Sequence, residues 1–234
     1  MIQVYPAASR FTADHGWLKS NFSFSFAEYY DPANLSFGPL RVLNDDIVQP
    51  SEGFGAHPHR EMEIVSIVLR GHLQHQDSAG HTATTTFGGI QRMTAGTGVV
   101  HSEMNPSPTE EVNFLQLWFL PDTPGLPPSY QQVHFPVDQL ENRLLPVVSK
   151  KQAADQVAFI NQDLTIYLSD LKAGKEIRFT QEEGRRIFLF VIEGALSING
   201  DATLNKRDSA RITDTSALQL KADQNALFML IDLP

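Results

Sequence analysis

Short stretches of alternating or uniformly apolar residues recur along the chain, separated by Gly, Pro, Asn and Asp. That spacing predicts strands joined by turns. Asn21–Phe26 alternates so that Phe22, Phe24 and Phe26 share one face. Further strands are expected at 40–43, 64–69, 89–93 and 114–120, and in the second half at 165–168, 186–193, 196–199, 209–212 and 228–232. Few windows have a helical period; residues 138–142 and 150–157 are the two that could each hold a single turn. Evenly spaced strands of this kind predict an all-β fold of sandwich or barrel type.

The stretch 121–136 holds five of the fourteen prolines and is expected to be an exposed connection. It puts the domain boundary near residue 140, with one domain over 1–140 and a second over 141–234. A faint repeat supports two copies of one fold. Val68-Leu69-Arg70-Gly71-His72-Leu73 is echoed by Val191-Ile192-Glu193-Gly194-Ala195-Leu196, each a strand, a Gly turn and a second strand.

Composition narrows the chemistry. The 234 residues carry a net charge of −9, so there is no basic excess for nucleic acid or an anionic membrane surface. The chain has no cysteine, which removes disulfides, thiolate nucleophiles and Cys-based metal sites. The N-terminus shows neither a basic nor an apolar leader pattern, and no apolar run has the length of a membrane span, so a cytoplasmic protein is expected. Gly-x-x-x-x-Gly-Lys, Gly-x-Ser-x-Gly and His-Glu-x-x-His are all missing from the sequence.

All eight histidines lie within the first 134 residues. Of two copies of the fold, only the first can therefore build a histidine metal site. In Gly53-Phe54-Gly55-Ala56-His57-Pro58-His59-Arg60-Glu61-Met62-Glu63, an extended chain would put His57, His59, Glu61 and Glu63 on one face. In Gly96-Thr97-Gly98-Val99-Val100-His101-Ser102-Glu103-Met104-Asn105, His101 and Glu103 share a face in the same way. A His-x-His pair by itself is more often a hydrogen-bonded or surface pair than a metal site. A second His-x-Glu behind its own Gly-rich turn reverses that weighting. Three imidazoles and a carboxylate suit a first-row divalent metal and leave coordination positions open.

These two segments resemble the signatures of the pirin family of bicupins. So do Phe24-Ser25-Phe26-Ala27-x-Tyr29-Tyr30-Asp31-Pro32, Leu40-Arg41-Val42-Leu43-Asn44-Asp45-Asp46 and His75-x-Asp77-Ser78-x-Gly80. The resemblance is dense from Trp17 to Trp118. It implies two jelly-roll-like β-barrel domains, the second a degenerate cupin without metal ligands. It also implies a metal held by His57, His59, His101 and Glu103, with Glu63 a nearby carboxylate rather than a ligand. The implied cofactor is one divalent transition metal, iron(II) foremost, with Ni, Co, Mn, Cu and Zn also compatible.

The implied activity is that of bacterial pirin-like quercetin 2,3-dioxygenases: cleavage of a flavonol-like aromatic by dioxygen with release of carbon monoxide. Glu103 would be the base, and the pocket mouth would be lined by residues such as Phe54 and Met93. The rival function is a non-enzymatic, redox-sensing regulator that binds a protein partner. A third is a metal-dependent isomerase, for which Arg60 and Arg92 are the nearest basic groups. A monomer is expected, because a bicupin buries within one chain the interface that single cupins bury by pairing.

The remaining residues draw plainer readings. His75, on an expected strand at the barrel mouth, is read as a residue behind the metal ligands, as pocket lining or as a satisfied rim residue, and His72 and His81 as loop or surface residues; His15 and His134 have no evident partner. The aromatic residues of 22–30 are read as core, Gln116 as pocket or core, and Asp45-Asp46 as a solvated turn.

Overall fold

The alternation seen in the sequence becomes antiparallel sheet in the computed structural model, which describes residues 1–152 and 154–234. The chain is all-β and divides into two compact units. One comprises residues 11–135 and 154–162; the other comprises residues 1–10, 136–153 and 163–234. Each pairs a large antiparallel sheet with a four-stranded one, and the sheets stay open rather than closing into barrels.

In the unit built on residues 11–135, the large sheet runs Ser129–His134, Gly89–Thr94, Glu63–Arg70, Val112–Phe119, Leu40–Val48, Leu18–Phe22 and Phe11–Asp14. The four-stranded sheet runs Gly53–His59, Val99–Met104, Leu73–Asp77 and Thr82–Thr85. Central strands such as Gly89–Thr94 are buried at every position and so lack clean alternation.

In the C-terminal unit, Ile2–Tyr5, Ser209–Ile212, Arg186–Glu193, Ala226–Leu233, Thr165–Leu171 and Leu145–Ser149 lie side by side. The first ten residues belong here because Ile2–Tyr5 completes the edge at Ser209–Ile212. The interior of this unit is packed with Leu189, Val191, Leu196, Leu220, Phe228, Leu230 and their neighbours. Burying each such side chain stabilises by about 2 kcal/mol. Its apolar filling and lack of histidine offer no imidazole ligand set.

The internal echo is structural. Strands Glu63–Arg70 and Arg186–Glu193 both end in a left-handed glycine, Gly71 at φ 79° and Gly194 at φ 82°. Both glycines sit against the start of the neighbouring strand. A Cβ on Gly71 would lie 3.0 Å from Val112 Cα, and one on Gly194 would lie 3.0 Å from Ala226 Cα. The tight crossing and the φ together require glycine.

Three local expectations are corrected. The proline-rich stretch is not merely an exposed connection, since Ser129–His134 pairs along its length with Gly89–Thr94. The described residues of 150–157 form turns and a bridge rather than helix, whereas a 3-10 turn does occur at Val137–Leu140. The apolar run at residue 40 is not stopped by Asn44-Asp45-Asp46. The strand continues to Val48, and both aspartates are buried, at 6% and 2% exposure. Side-chain partners make this possible: Asn113 donates to Asp45, and Ser20 to Asp46.

Candidate metal centre

Two neighbouring strands bring the histidines together. Val99–Met104 pairs with Gly53–His59 so that His101 lies opposite His57 and Val99 opposite His59. On its other side, Glu103 lies opposite His75 and His101 opposite Asp77. Directly opposed residues share a face, so one face of this sheet carries His57, His59, His101, Glu103, His75 and Asp77.

A bulge re-aims one residue. Between His101 and Glu103 the register shifts, and Glu103 meets Phe54 rather than Gly55. The extra residue on Gly53–His59 moves Phe54 onto the histidine face, where strict alternation would have turned it away. Downstream, the parity reading fails for the opposite reason. The strand ends at His59, and Glu61 adopts φ 50°. Glu61 then turns away to accept from the Gly125 amide at 3.1 Å. Glu63 starts a strand of the other sheet, where Thr94 and Asn161 each donate to it at 3.1 Å. Neither acid joins the histidines.

Hydrogen bonds fix which ring nitrogens are free. His57 Nδ1 lies 2.8 Å from the Gly55 carbonyl, which can only accept, so Nδ1 carries the proton and Nε2 is bare. His75 Nε2 donates to Asp77 at 3.1 Å, leaving its Nδ1 to accept from His101 Nδ1 at 3.3 Å. His101 Nε2 is therefore bare too. His59 Nε2 is buried without a hydrogen-bond partner.

The three imidazoles offer ligand atoms within 4.8 Å of one another, and Glu103 forms a second such group with His101 and His75. His57 Nε2 and His101 Nε2 face each other at 3.1 Å. Two nitrogens about 2.1 Å from one cation and at right angles would be about 3.0 Å apart. The donor set thus fits a divalent metal of nitrogen and oxygen preference.

Charge placement favours the same outcome. Burial, reinforced by His57, holds His59 down at about 4; burial and the neighbouring histidines hold His101 at about 3. Both rings stay neutral and available as ligands at physiological pH. Burial raises Glu103 above the usual carboxylate range, against the opposing hydrogen bonds from Gln116 and Ser66. Ser66 donates to one carboxylate oxygen at 3.1 Å and Gln116 to the other, while Trp118 donates to Gln116 at 3.3 Å.

A cavity of about 260 Å³ opens beside His57 and Glu103. Leu18, Phe22, Phe26, Phe54 and Trp118 form its apolar part; Ser20, Asn44, Asp46 and Gln116 form a polar wall. The rings are braced edge to face, Phe26 on Trp118 at 5.3 Å and Phe22 on Phe26 at 5.2 Å. Phe22 and Phe26 are thus pocket as well as core, while Phe24 is simply buried. Phe54 lines the cavity as expected. Met93 does not, being packed with Ile64, Ala95 and Val99.

The other singled-out residues fall into place. His75 is not at the rim but behind His101: it is 2% exposed, stacked on Tyr130 at 4.2 Å and bonded to Asp77. His81 also bonds to Asp77, at 2.9 Å. His15 lines the outer cavity near Glu28. His72 and His134 are exposed, as is Arg60. Arg92 is buried and donates to Thr94 and Ser129 rather than to the cavity. Reading by motif missed Ser20, Asn44 and Asp46. Their signal was the parity of Leu18-Ser20-Phe22 and of Asn44-Asp46, visible only once both segments are known to be strands.

The pirin family model matches residues 4–119, and the model of the quercetinase C-terminal cupin domain matches residues 146–233. The chain is 39% identical over its whole length to a quercetin 2,3-dioxygenase of Escherichia coli, covering 99% of that protein. It is 37% identical to a pirin-like protein of Caulobacter vibrioides, with 94% of each chain covered. Among solved structures, the E. coli bacterial pirin YhhW in complex with nickel(II) superposes with a TM-score of 0.94 at 38% identity, covering 100% of this chain and 99% of that one.

Proposed function

The chain belongs to the pirin family, and on that premise we propose that it is a metal-dependent dioxygenase that opens the central ring of a flavonol such as quercetin and releases carbon monoxide. The observation that carries this reading is the convergence of the His57, His59 and His101 ring nitrogens, with His57 and Glu103 both lining an aromatic-walled cavity. His57, His59, His101 and Glu103 would hold the metal. When bound, a divalent transition metal, iron or the nickel seen in the E. coli relative, supplies Lewis acidity toward the substrate hydroxyl and the redox partner for dioxygen.

The chain's own residues do the rest. Phe22, Phe26, Phe54 and Trp118 take the flat rings and exclude water. Glu103 takes the proton of the substrate's 3-hydroxyl. Ser66 and Gln116 hold its two oxygens in place for that transfer. Asp77, acting through His75, keeps His101 in the tautomer that presents Nε2.

The test is separate reconstitution with Fe, Ni, Co, Mn and Cu, followed by quercetin loss in air with carbon monoxide trapped. Turnover with at least one metal, abolished in His101→Ala, is expected. Asp77→Asn keeps every proposed ligand but frees the tautomer, and should weaken nickel binding about tenfold. Stoichiometric metal binding without turnover for any metal would overturn the dioxygenase reading.

A further inference from the structure

The cavity has a polar wall that the chemistry at Glu103 leaves unused. On the strands Leu18–Phe22, Leu40–Val48 and Val112–Phe119, Ser20 lies opposite Asp46, and Asn44 lies between Phe22 and Gln116. Opposed residues share a face, and Ser20, Asn44, Asp46 and Gln116 all line the cavity. Gln116 is committed at both ends, to Glu103 and to Trp118. Asn44 is not committed at its carbonyl. It is 3% exposed, and its Oδ1 has no hydrogen-bond partner.

Asp46 is 2% exposed; it accepts from Ser20 at Oδ1, and no described residue donates to its Oδ2. An unpaired buried acceptor is costly and uncommon, and here Asn44 Oδ1 stands beside the Asp46 carboxyl on one wall of a largely aromatic cavity. Neighbouring strands are about 4.8 Å apart and alternate residues about 7 Å apart. Asn44 and Asp46 therefore step away from Gln116 along the cavity wall, over a length a flat ligand would span.

We propose that Asn44 and Asp46, with Ser20 orienting Asp46, form a second recognition point that accepts hydrogen bonds from a substrate hydroxyl other than the one at the metal, and so determine which flavonols bind tightly. This rests on the reading of the cavity as the substrate site. A substrate anchored only by its chelating end would leave Asn44 Oδ1 dry and unpaired. A second hydroxyl satisfies it. Burial pushes the Asp46 carboxyl up to about 7, so near neutrality it can accept from a phenol or, protonated, donate to an oxygen.

The experiment is equilibrium titration of the nickel-loaded full chain without oxygen, followed by tryptophan quenching. The probes are quercetin and galangin, which keeps the chelating 3-hydroxyl and lacks both pendant-ring hydroxyls. The wild-type chain should bind quercetin about tenfold more tightly than galangin. In Asn44→Leu, and separately in Asp46→Ala, the ratio should fall below about threefold. Retained nickel stoichiometry shows that each variant is folded.

A wild-type ratio near one, or a ratio unchanged in both variants, overturns the recognition point even if the enzyme turns over. A tenfold ratio that collapses in the variants supports it, even if no metal gives turnover and the dioxygenase reading fails. Binding of neither probe to nickel-loaded protein overturns both.

Discussion

A carboxyl sealed beside an aromatic cavity has a cost that pH exposes. Burial, with Asp45 and Glu103 nearby, raises Asp46 from the ordinary 3.8 to about 7 in the folded chain, against the opposing hydrogen bond from Ser20. Below the ordinary value both states are protonated and the fold is at no disadvantage. As pH rises toward 7, the unfolded chain ionises first and stability falls. Glu63 and Glu103, also raised by burial, act in the same direction. Asp46→Asn should therefore flatten part of the decline between pH 4 and 7. It should also make the metal-free protein more stable at pH 8, by on the order of 3 kcal/mol. Urea unfolding at pH 4.5, 6 and 8 measures this. A variant with the wild-type slope would mean that Asp46 ionises as freely in the fold as in the unfolded chain. A residue kept at such cost beside the ligand cavity is in the position expected of a functional group that trades stability for recognition.

At the scale of elements, the pair of strands carrying the histidines depends on how closely they approach. A Cβ on Gly53 would lie 2.6 Å from Met104 Cα and would also press on the Glu103 carbonyl, both backbone atoms. A Cβ on Gly55, two residues away in the bulge, meets nothing within 4 Å. Gly53→Ala should cost about 1–3 kcal/mol and weaken metal binding by spreading the two strands; Gly55→Ala should change stability by less than about 0.5 kcal/mol. Thermal unfolding and a chelator competition on both variants check this, and equal effects would show that strand approach does not set the site. The sequence made most strands legible through period and turn residues, and the histidine pairs through their spacing. It did not show the bulge that turns Phe54 inward, nor the turn at Glu61 that removes Glu61 and Glu63 from the histidine face. Parity carries no information across a bulge or a positive φ. Asp45 and Asp46 looked like a turn because their partners, Asn113 and Ser20, are distant in sequence.

For the whole molecule, chain order and unit membership differ, and that difference can be tested. Ile2–Tyr5 pairs residue for residue with Ser209–Ile212, more than two hundred positions away. Ile2 and Val4 pack on the C-terminal core, the Ala7 amide donates to Asp208 at 2.7 Å, and Arg211 lies 4.1 Å over the Tyr5 ring. Deleting residues 2–9 would unpair the edge of Ser209–Ile212, remove those contacts and leave a fully buried strand open to pairing with other chains. The four proposed ligands lie on Gly53–His59 and Val99–Met104, in the unit that does not include those residues. The expected result is a thermal midpoint lower by about 5–10 °C and a greater tendency to aggregate, with nickel still bound at one ion per chain. An unchanged midpoint would show that the strand adds no stability to the C-terminal unit. Loss of nickel along with the strand would show that the histidine site needs that unit intact, although no histidine lies beyond residue 134.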